Sequence, residues 1–397
     1  MKKLLSVLLL TAMLLAMSGL ALAADAPREL VFWHAMGGIN GEMITKLTDR
    51  YNETQGVADG IHVTAIYQGL YADMRTKFLA SVQTGDLASL PDVVQMGASA
   101  LGMMKEIDEV VWFEDILAMD TTMKREDFEP KFVRGFTSEG RALGVPFASS
   151  TVILYYNKDH FKAVGLDPEV GPETIADMGE YCAKLRVEEN GEVTRYGMVC
   201  QPGSWFMSSW IGMQPSSAGE YAYIGDNADG REGNMTKVVF DEEGTMKRFL
   251  EAYKAAYDVG QFKYMSDSDL EEFAAEKVSM YIGSTSAFAG VIKAVGDKFE
   301  FGCAFLPKVG ADDKGGVAAG GSSLYMLNRG DETKMADALR FLEYMTSPET
   351  QYLWHEGTGY FPVNVHTYEL DEMKARAEAH PQVQVMIDQL QQSDPHV

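Results

Sequence analysis

Two hydrophobic periods alternate along the chain. Leu30-Val31-Phe32-Trp33 is a short apolar run that fits a buried strand and is too short for a helix. From about Gly41 to Tyr51 the period lengthens: Met43, Ile44, Leu47 and Tyr51 share one helical face. Ile61 to Tyr67 alternates in the manner of a strand. Tyr71 to Val82 then predicts a helix burying Met74, Phe78, Leu79 and Val82, and Asp92 to Met96 a third strand. Alternating β and α segments imply a mainly parallel sheet with helices on its faces.

A second series starts near residue 150. Val152 to Tyr156 reads as a buried strand, and Asn157-Lys158-Asp159 turns into a short helix ended by Gly165. Thr174 with Asp177 forms a capping box for a helix carrying Ile175, Met178, Tyr181, Cys182 and Leu185. Arg195 to Val199 predicts a strand. Thr245 to Tyr257 predicts a helix with Met246, Phe249, Leu250, Tyr253 and Tyr257 inward and Gly260 just past its end. Leu270 to Ala275 reads as a helix; Val278 to Ile282, residues 299–308 and Leu324 to Leu327 read as strands. A helix from Met335 to Met345 stops at Ser347-Pro348. Gln214 to Gly233, rich in Gly and Asp, has no period and reads as a surface insertion. Its stretch Asp226 to Gly230 lacks the ligand spacing of a calcium loop.

A chain of 397 residues exceeds one compact core and suggests two domains. Its formal charge of −24 argues against nucleic acid or anionic lipid as partner. Residues 1–23 have the layout of a signal peptide. Lys2-Lys3 forms a basic start, Leu4 to Met17 is almost wholly apolar, and Ala21-Leu22-Ala23 is a cleavage signal. A free periplasmic protein is therefore expected. An oxidising compartment allows a disulfide, and Cys182 with Cys200 is the expected pair; Cys303 reads as core.

No catalytic signature emerges. The seven histidines lack metal-site spacing, and there is no nucleophile elbow, phosphate loop or dinucleotide fingerprint. No metal or cofactor is expected. Polar clusters stand instead at strand ends, where open α/β sheets bind ligands: Trp33-His34, Gly69-Leu70-Tyr71, Ala148 to Thr151, Ser284 to Ser286 and Ala319 to Ser323. Hydroxyls and glycine N–H groups suit an oxygen-rich solute.

Several segments carry a family resemblance. They are Val31 to Met36, Gly69-Leu70-Tyr71, PFASSTVILYYNKDHFKAVGLDP at 146–168, Gly320 to Leu324, and Trp354 to Val363. In these the chain resembles the bacterial solute-binding proteins of ABC importers, family 1, the maltose-binding-like group. Within that group it is most similar to the glycerol-3-phosphate-binding branch. The resemblance implies an α/β, two-lobed periplasmic-binding-protein fold of type II, with a cleft between lobes joined by crossing strands. Lobe one would hold 24–148 and 304–356, and lobe two 149–303 and 357–397. It implies a non-enzymatic monomer that hands a small polar solute to a membrane permease.

Matching positions imply Tyr71, Ser150, Ser284, Gly321 and Tyr360 as ligand contacts. Trp205 and Trp210, in a Gly/Ser-rich stretch, are further candidates to wall the cleft. On this reading Ser150→Ala and Tyr360→Ala weaken binding without unfolding the protein. Two departures count against a phosphorylated ligand. Gly97-Ala98-Ser99 stands where the family has an acidic contact, and an arginine ligand would lie beyond Val397, with no final helical bundle evident before it. The expected ligand is glycerol-3-phosphate or a glycerophosphodiester; a neutral sugar or oligosaccharide is the alternative. An exported enzyme on a two-lobed scaffold has no motif behind it.

Overall fold

The computed structural model describes residues 26–393 apart from residues 218, 220, 265 and 267. The expected signal peptide and the last four residues lie outside the described residues.

In chain order the strands are β1 (Arg28–His34), β2 (Ile61–Tyr67), β3 (Val93–Gly97), β4 (Val110–Val111), β5 (Thr137–Ser138), β6 (Arg141–Ala142), β7 (Val145–Ser150), β8 (Val152–Asn157), β9 (Val187–Glu189), β10 (Glu192–Val199), β11 (Val278–Ser284), β12 (Phe301–Ala304) and β13 (Gly320–Leu327). One sheet runs β2-β1-β3-β13-β4, with β7 also on β13; the other runs β12-β8-β11-β10-β9; β5 and β6 form a small hairpin. The chain crosses between the two large sheets at Thr151, between β7 and β8, and again between β12 and β13. This is the two-lobed α/β architecture with crossing strands.

The sheets are mixed. β1 pairs in parallel with β2 and β3, and β10 with β11. The crossing strands reverse direction: β13 runs antiparallel to β3 and β7, and β8 antiparallel to β11 and β12. β7 and β8 are buried at every position, because helices and connections cover both faces.

Some expectations need correction. Helix Thr245–Gly260 turns Leu250 and Tyr257 outward, 52% and 43% exposed. Its contact with helix Ile175–Leu185 is set by small residues instead. A Cβ on Gly179 would lie 2.8 Å from Ala256 Cα, and one on Gly260 2.7 Å from Cys182 Cβ, so the two backbones approach closely and the buried stripe rotates. The strand expected over 299–308 shrinks to β12; Pro307 has no N–H to extend the ladder. β13 starts earlier than expected and takes in Gly320-Gly321-Ser322-Ser323.

Helices Pro348–Thr358, Asp371–Ala379 and Pro381–Gln392 follow where no terminal bundle was expected. Pro348 and Pro381 open helices, at a position whose N–H has no intrahelical partner anyway. The disulfide is also corrected: Cys182, Cys200 and Cys303 are buried free thiols. Burial pushes the Cys200 thiol up to about 12 and that of Cys182 well above its usual value, so the thiolate needed for exchange is scarce.

Candidate ligand-binding site between the sheets

Hydroxyl groups from both sheets meet at the crossing point. Tyr71 opens helix Tyr71–Gln83 directly after β2, and its ring lies against Gly97, where a Cβ would be 3.3 Å from the ring. Its hydroxyl is buried without a hydrogen-bond partner. Burial raises its pKa, and the nearby hydroxyls of Ser322 and Tyr360 oppose that rise. Ser322 is held by Gln95: the Gln95 Nε2 donates to Ser322 Oγ at 2.8 Å, while Gln95 Oε1 accepts from Ala35 N at 3.0 Å. With its oxygen accepting from Gln95, Ser322 keeps its own proton to donate, and Tyr71 is the neighbour on which it acts.

From the second sheet come Ser284 and Ser286, whose Oγ atoms are 2.7 Å apart at the end of β11. Burial raises the Tyr360 pKa; Tyr71 adds to the rise and Ser286 opposes it. The four side chains of Tyr71, Ser322, Tyr360 and Ser286 thus share one electrostatic neighbourhood. Tyr360 Oη also faces Met36 Sδ at 3.7 Å.

The backbone beneath is tied from both sides. Ser150 ends β7 in register with Gly320, and Gly321 with Ser149. Phe361 N donates to Ser149 O at 2.8 Å, and Thr285 N to Thr151 O at 2.9 Å. Ser150 is nearly buried, and its hydroxyl makes no hydrogen bond with the described residues, so it is free for a guest.

The tryptophans separate. Trp205 donates from Nε1 to Ala318 O at 3.1 Å and lies against Gly320, where a Cβ would be 2.7 Å from the indole. It walls the strand that carries Gly321. Trp210 is corrected to a core residue: it is fully buried, stacks on Phe249 at 4.9 Å, and donates to Pro307 O at 2.9 Å.

Two histidines frame the site. His34 ends β1, with Nδ1 unpartnered; His355 Nδ1–H donates to Tyr360 O at 2.8 Å and its Nε2 is unpartnered. Burial lowers both imidazoles from 6.5 to about 4. A base whose folded pKa is depressed stabilises the fold above its unfolded pKa. That stability, at most roughly 3 kcal/mol per residue, drains as pH falls from 6.5 towards 4. Urea midpoints measured from pH 7 to 4.5 are expected to fall, and His355→Gln to flatten the decline. An unchanged slope in that variant removes His355 as a cause.

A family model for bacterial extracellular solute-binding proteins matches residues 46–382. The chain belongs to this family. Among relatives of this solute-binding protein is the sn-glycerol-3-phosphate-binding periplasmic protein UgpB of Pectobacterium atrosepticum. It is 28% identical over 380 residues, covering 94% of this chain and 81% of the relative. UgpB of Salmonella typhimurium is also 28% identical, covering 97% and 84%. UgpB from Mycobacterium tuberculosis, solved in complex with glycerophosphocholine, superposes with TM-score 0.73 at 21% identity, covering 92% of this chain and 87% of that one. MalE from Bdellovibrio bacteriovorus, bound to maltotriose, superposes with TM-score 0.69 at 19% identity, covering 92% and 88%. These neighbours share the two-lobed fold.

Sequence reasoning passed over three residues of this solute-binding protein's candidate site. Ser286 and Ser322 sat inside polar clusters already noted but were not singled out. Gln95 carried a stronger signal, a lone amide in the otherwise apolar buried strand Val93-Val94-Gln95-Met96-Gly97.

Proposed function

We propose that this protein is the periplasmic receptor of an ABC importer, capturing glycerol-3-phosphate or a glycerophosphodiester and passing it to the permease without chemical change. The observation that carries this reading is the gathering of Tyr71, Ser322, Tyr360 and Ser286 from both sheets around a buried, unpartnered hydroxyl. A guest bridging the two sheets favours the closed form, and a permease can read closure. The names of the UgpB relatives supply the ligand class. In this reading the lobes are 24–148 with 304–356 and 149–303 with 357–397. The crossing at Thr151 supports the first boundary, whereas Ala304, Leu306 and Val317 pack with the second sheet and favour a second boundary nearer the start of β13. Export is consistent with the described residues, none of whose helices is long and apolar enough to cross a membrane. A monomer suffices for this role.

In this reading Ser150 Oγ and Ser284 Oγ donate to phosphate or glycerol oxygens, and Tyr71 and Tyr360 pack on the carbon skeleton. A thermal-shift screen with glycerol-3-phosphate, glycerophosphocholine and maltotriose tests it. A ligand that binds only the folded state raises the melting temperature by mass action. The glycerophosphates are expected to raise it, and Ser150→Ala to weaken their calorimetric affinity about tenfold. A shift with maltotriose alone moves the assignment to an oligosaccharide. Unchanged affinity in Ser150→Ala removes that hydroxyl from the site.

A further inference from the structure

The insertion that shows no period in the sequence builds a second compartment. Asn227, Ala228 and Asp229 are successive non-glycine residues with φ of 51°, 53° and 57°. That left-handed backbone is unfavourable for L-residues and persists only when its surroundings enforce it. Here Asp226 accepts from Thr236 N at 2.7 Å and Thr236 Oγ1 at 2.6 Å, and Asp229 Oδ1 accepts from Ile224 N and Gly225 N at 2.9 and 2.6 Å. The turn aims Asp229 and Arg231 into one cavity of about 310 Å³, bounded also by Trp205, Ile224, Ala318 and Ala319.

Three features give that cavity a use. First, it adjoins the site: Trp205 walls it and touches Gly320, the register partner of Ser150. Second, the insertion that builds it is tied to the segment before Thr151. Glu139 N, in the β5–β6 turn, donates to Arg231 O at 3.0 Å, and Lys105 Nζ to Asn234 Oδ1 at 2.7 Å. Third, its ion pair is unfinished. Asp229 Oδ2 and Arg231 Nη1 stand 3.7 Å apart, within attraction but beyond a hydrogen bond, and Asp229 Oδ2 accepts none from the described residues. Burial pushes the Asp229 carboxyl up and the Arg231 guanidinium down, so each gains from a further opposite charge.

An indole face beside a carboxylate suits an alkylammonium group, and the Arg231 guanidinium, whose Nη1 donates to Ala228 O at 3.3 Å, keeps further N–H groups that suit a phosphate oxygen. We propose that this cavity is a subsite for the ammonium-bearing alcohol of a glycerophosphodiester, with the ammonium at Trp205 and Asp229 and the diester phosphate towards Arg231. The inference rests on the glycerophosphate reading above and deepens it: the protein would prefer zwitterionic diesters to the monoester, which leaves the compartment unfilled.

Calorimetry of the purified protein with glycerol-3-phosphate, glycerophosphocholine and glycerophosphoethanolamine tests it. The diesters are expected to bind about tenfold more tightly than the monoester. Asp229→Asn keeps the acceptor for Ile224 and Gly225 but removes the charge, and should erase most of that preference while leaving the monoester within about twofold. Ser208 also lines the cavity, on the outer side of helix Ser204–Gly212, so Ser208→Phe should fill it and abolish the preference without disturbing a core residue. Equal affinity for monoester and diesters in the unmodified protein overturns the subsite and leaves the proposed function standing. So does a diester preference that survives both variants. Failure of every glycerophosphate to bind overturns both.

Discussion

Gly321→Ala is expected to destabilise the protein by about 3–5 kcal/mol and to abolish ligand binding. Two effects coincide at this residue. Its φ of +127° lies where a Cβ is strained. An ideal Cβ would also stand 1.9 Å from the Ala148 carbonyl oxygen, a backbone atom that cannot rotate away. Relief requires β13 to part from β7 at the pairs Gly320–Ser150 and Gly321–Ser149, which is where the candidate hydroxyls are aligned. Urea unfolding measures the loss. A variant within about 1 kcal/mol of the parent would mean that the strand shifts without cost and that the alignment is not needed.

Tyr360→Ala is expected to cost about 3–5 kcal/mol as well, contrary to the sequence expectation that it would spare the fold. The ring is 6% exposed and stacks on Trp354 at 5.2 Å with a 15° interplanar angle; Trp354 in turn stacks on Phe147 at 5.0 Å. Truncation opens a cavity in that stack, so lost binding in the alanine variant would report unfolding as much as recognition. Tyr360→Phe separates the two. It keeps the stack and should stay within about 1 kcal/mol in stability, yet weaken the ligand about tenfold by deleting the hydroxyl beside Tyr71 and Ser286. Full affinity in Tyr360→Phe would leave the residue a packing role only.

The helix and strand pattern was readable wherever one buried face had a clear period. Ile61–Tyr67 and the Thr174–Asp177 capping box lie where periodicity and capping chemistry put them. The misreadings have one physical source, which is that neighbours in space are not visible in a one-dimensional pattern. Leu250 and Tyr257 belong to the expected apolar stripe, but close contact at Gly179, Ala256 and Gly260 turns the helix away from it. Trp210 and Trp205 stand five residues apart in one Gly/Ser-rich stretch and look alike in sequence; only packing sends one into the core and the other to the strand of Gly320.

By itself the sequence determined the alternation of strands and helices, and the polar clusters at strand ends, because these depend on local period and residue type. The resemblance of its motifs pointed to the family and to Tyr71, Ser150, Ser284, Gly321 and Tyr360. Tertiary structure alone decided that Tyr71 meets Ser322, Tyr360 and Ser286, that Gln95 turns the Ser322 hydroxyl, and that Asp229 and Arg231 face one cavity beside Trp205. The hydroxyl cluster is brought together by the crossing of strands between two sheets, a relation between segments far apart in the chain. The left-handed turn is held by side-chain hydrogen bonds of Asp226 and Asp229 to residues four to ten positions away, and no hydrophobic period encodes those either.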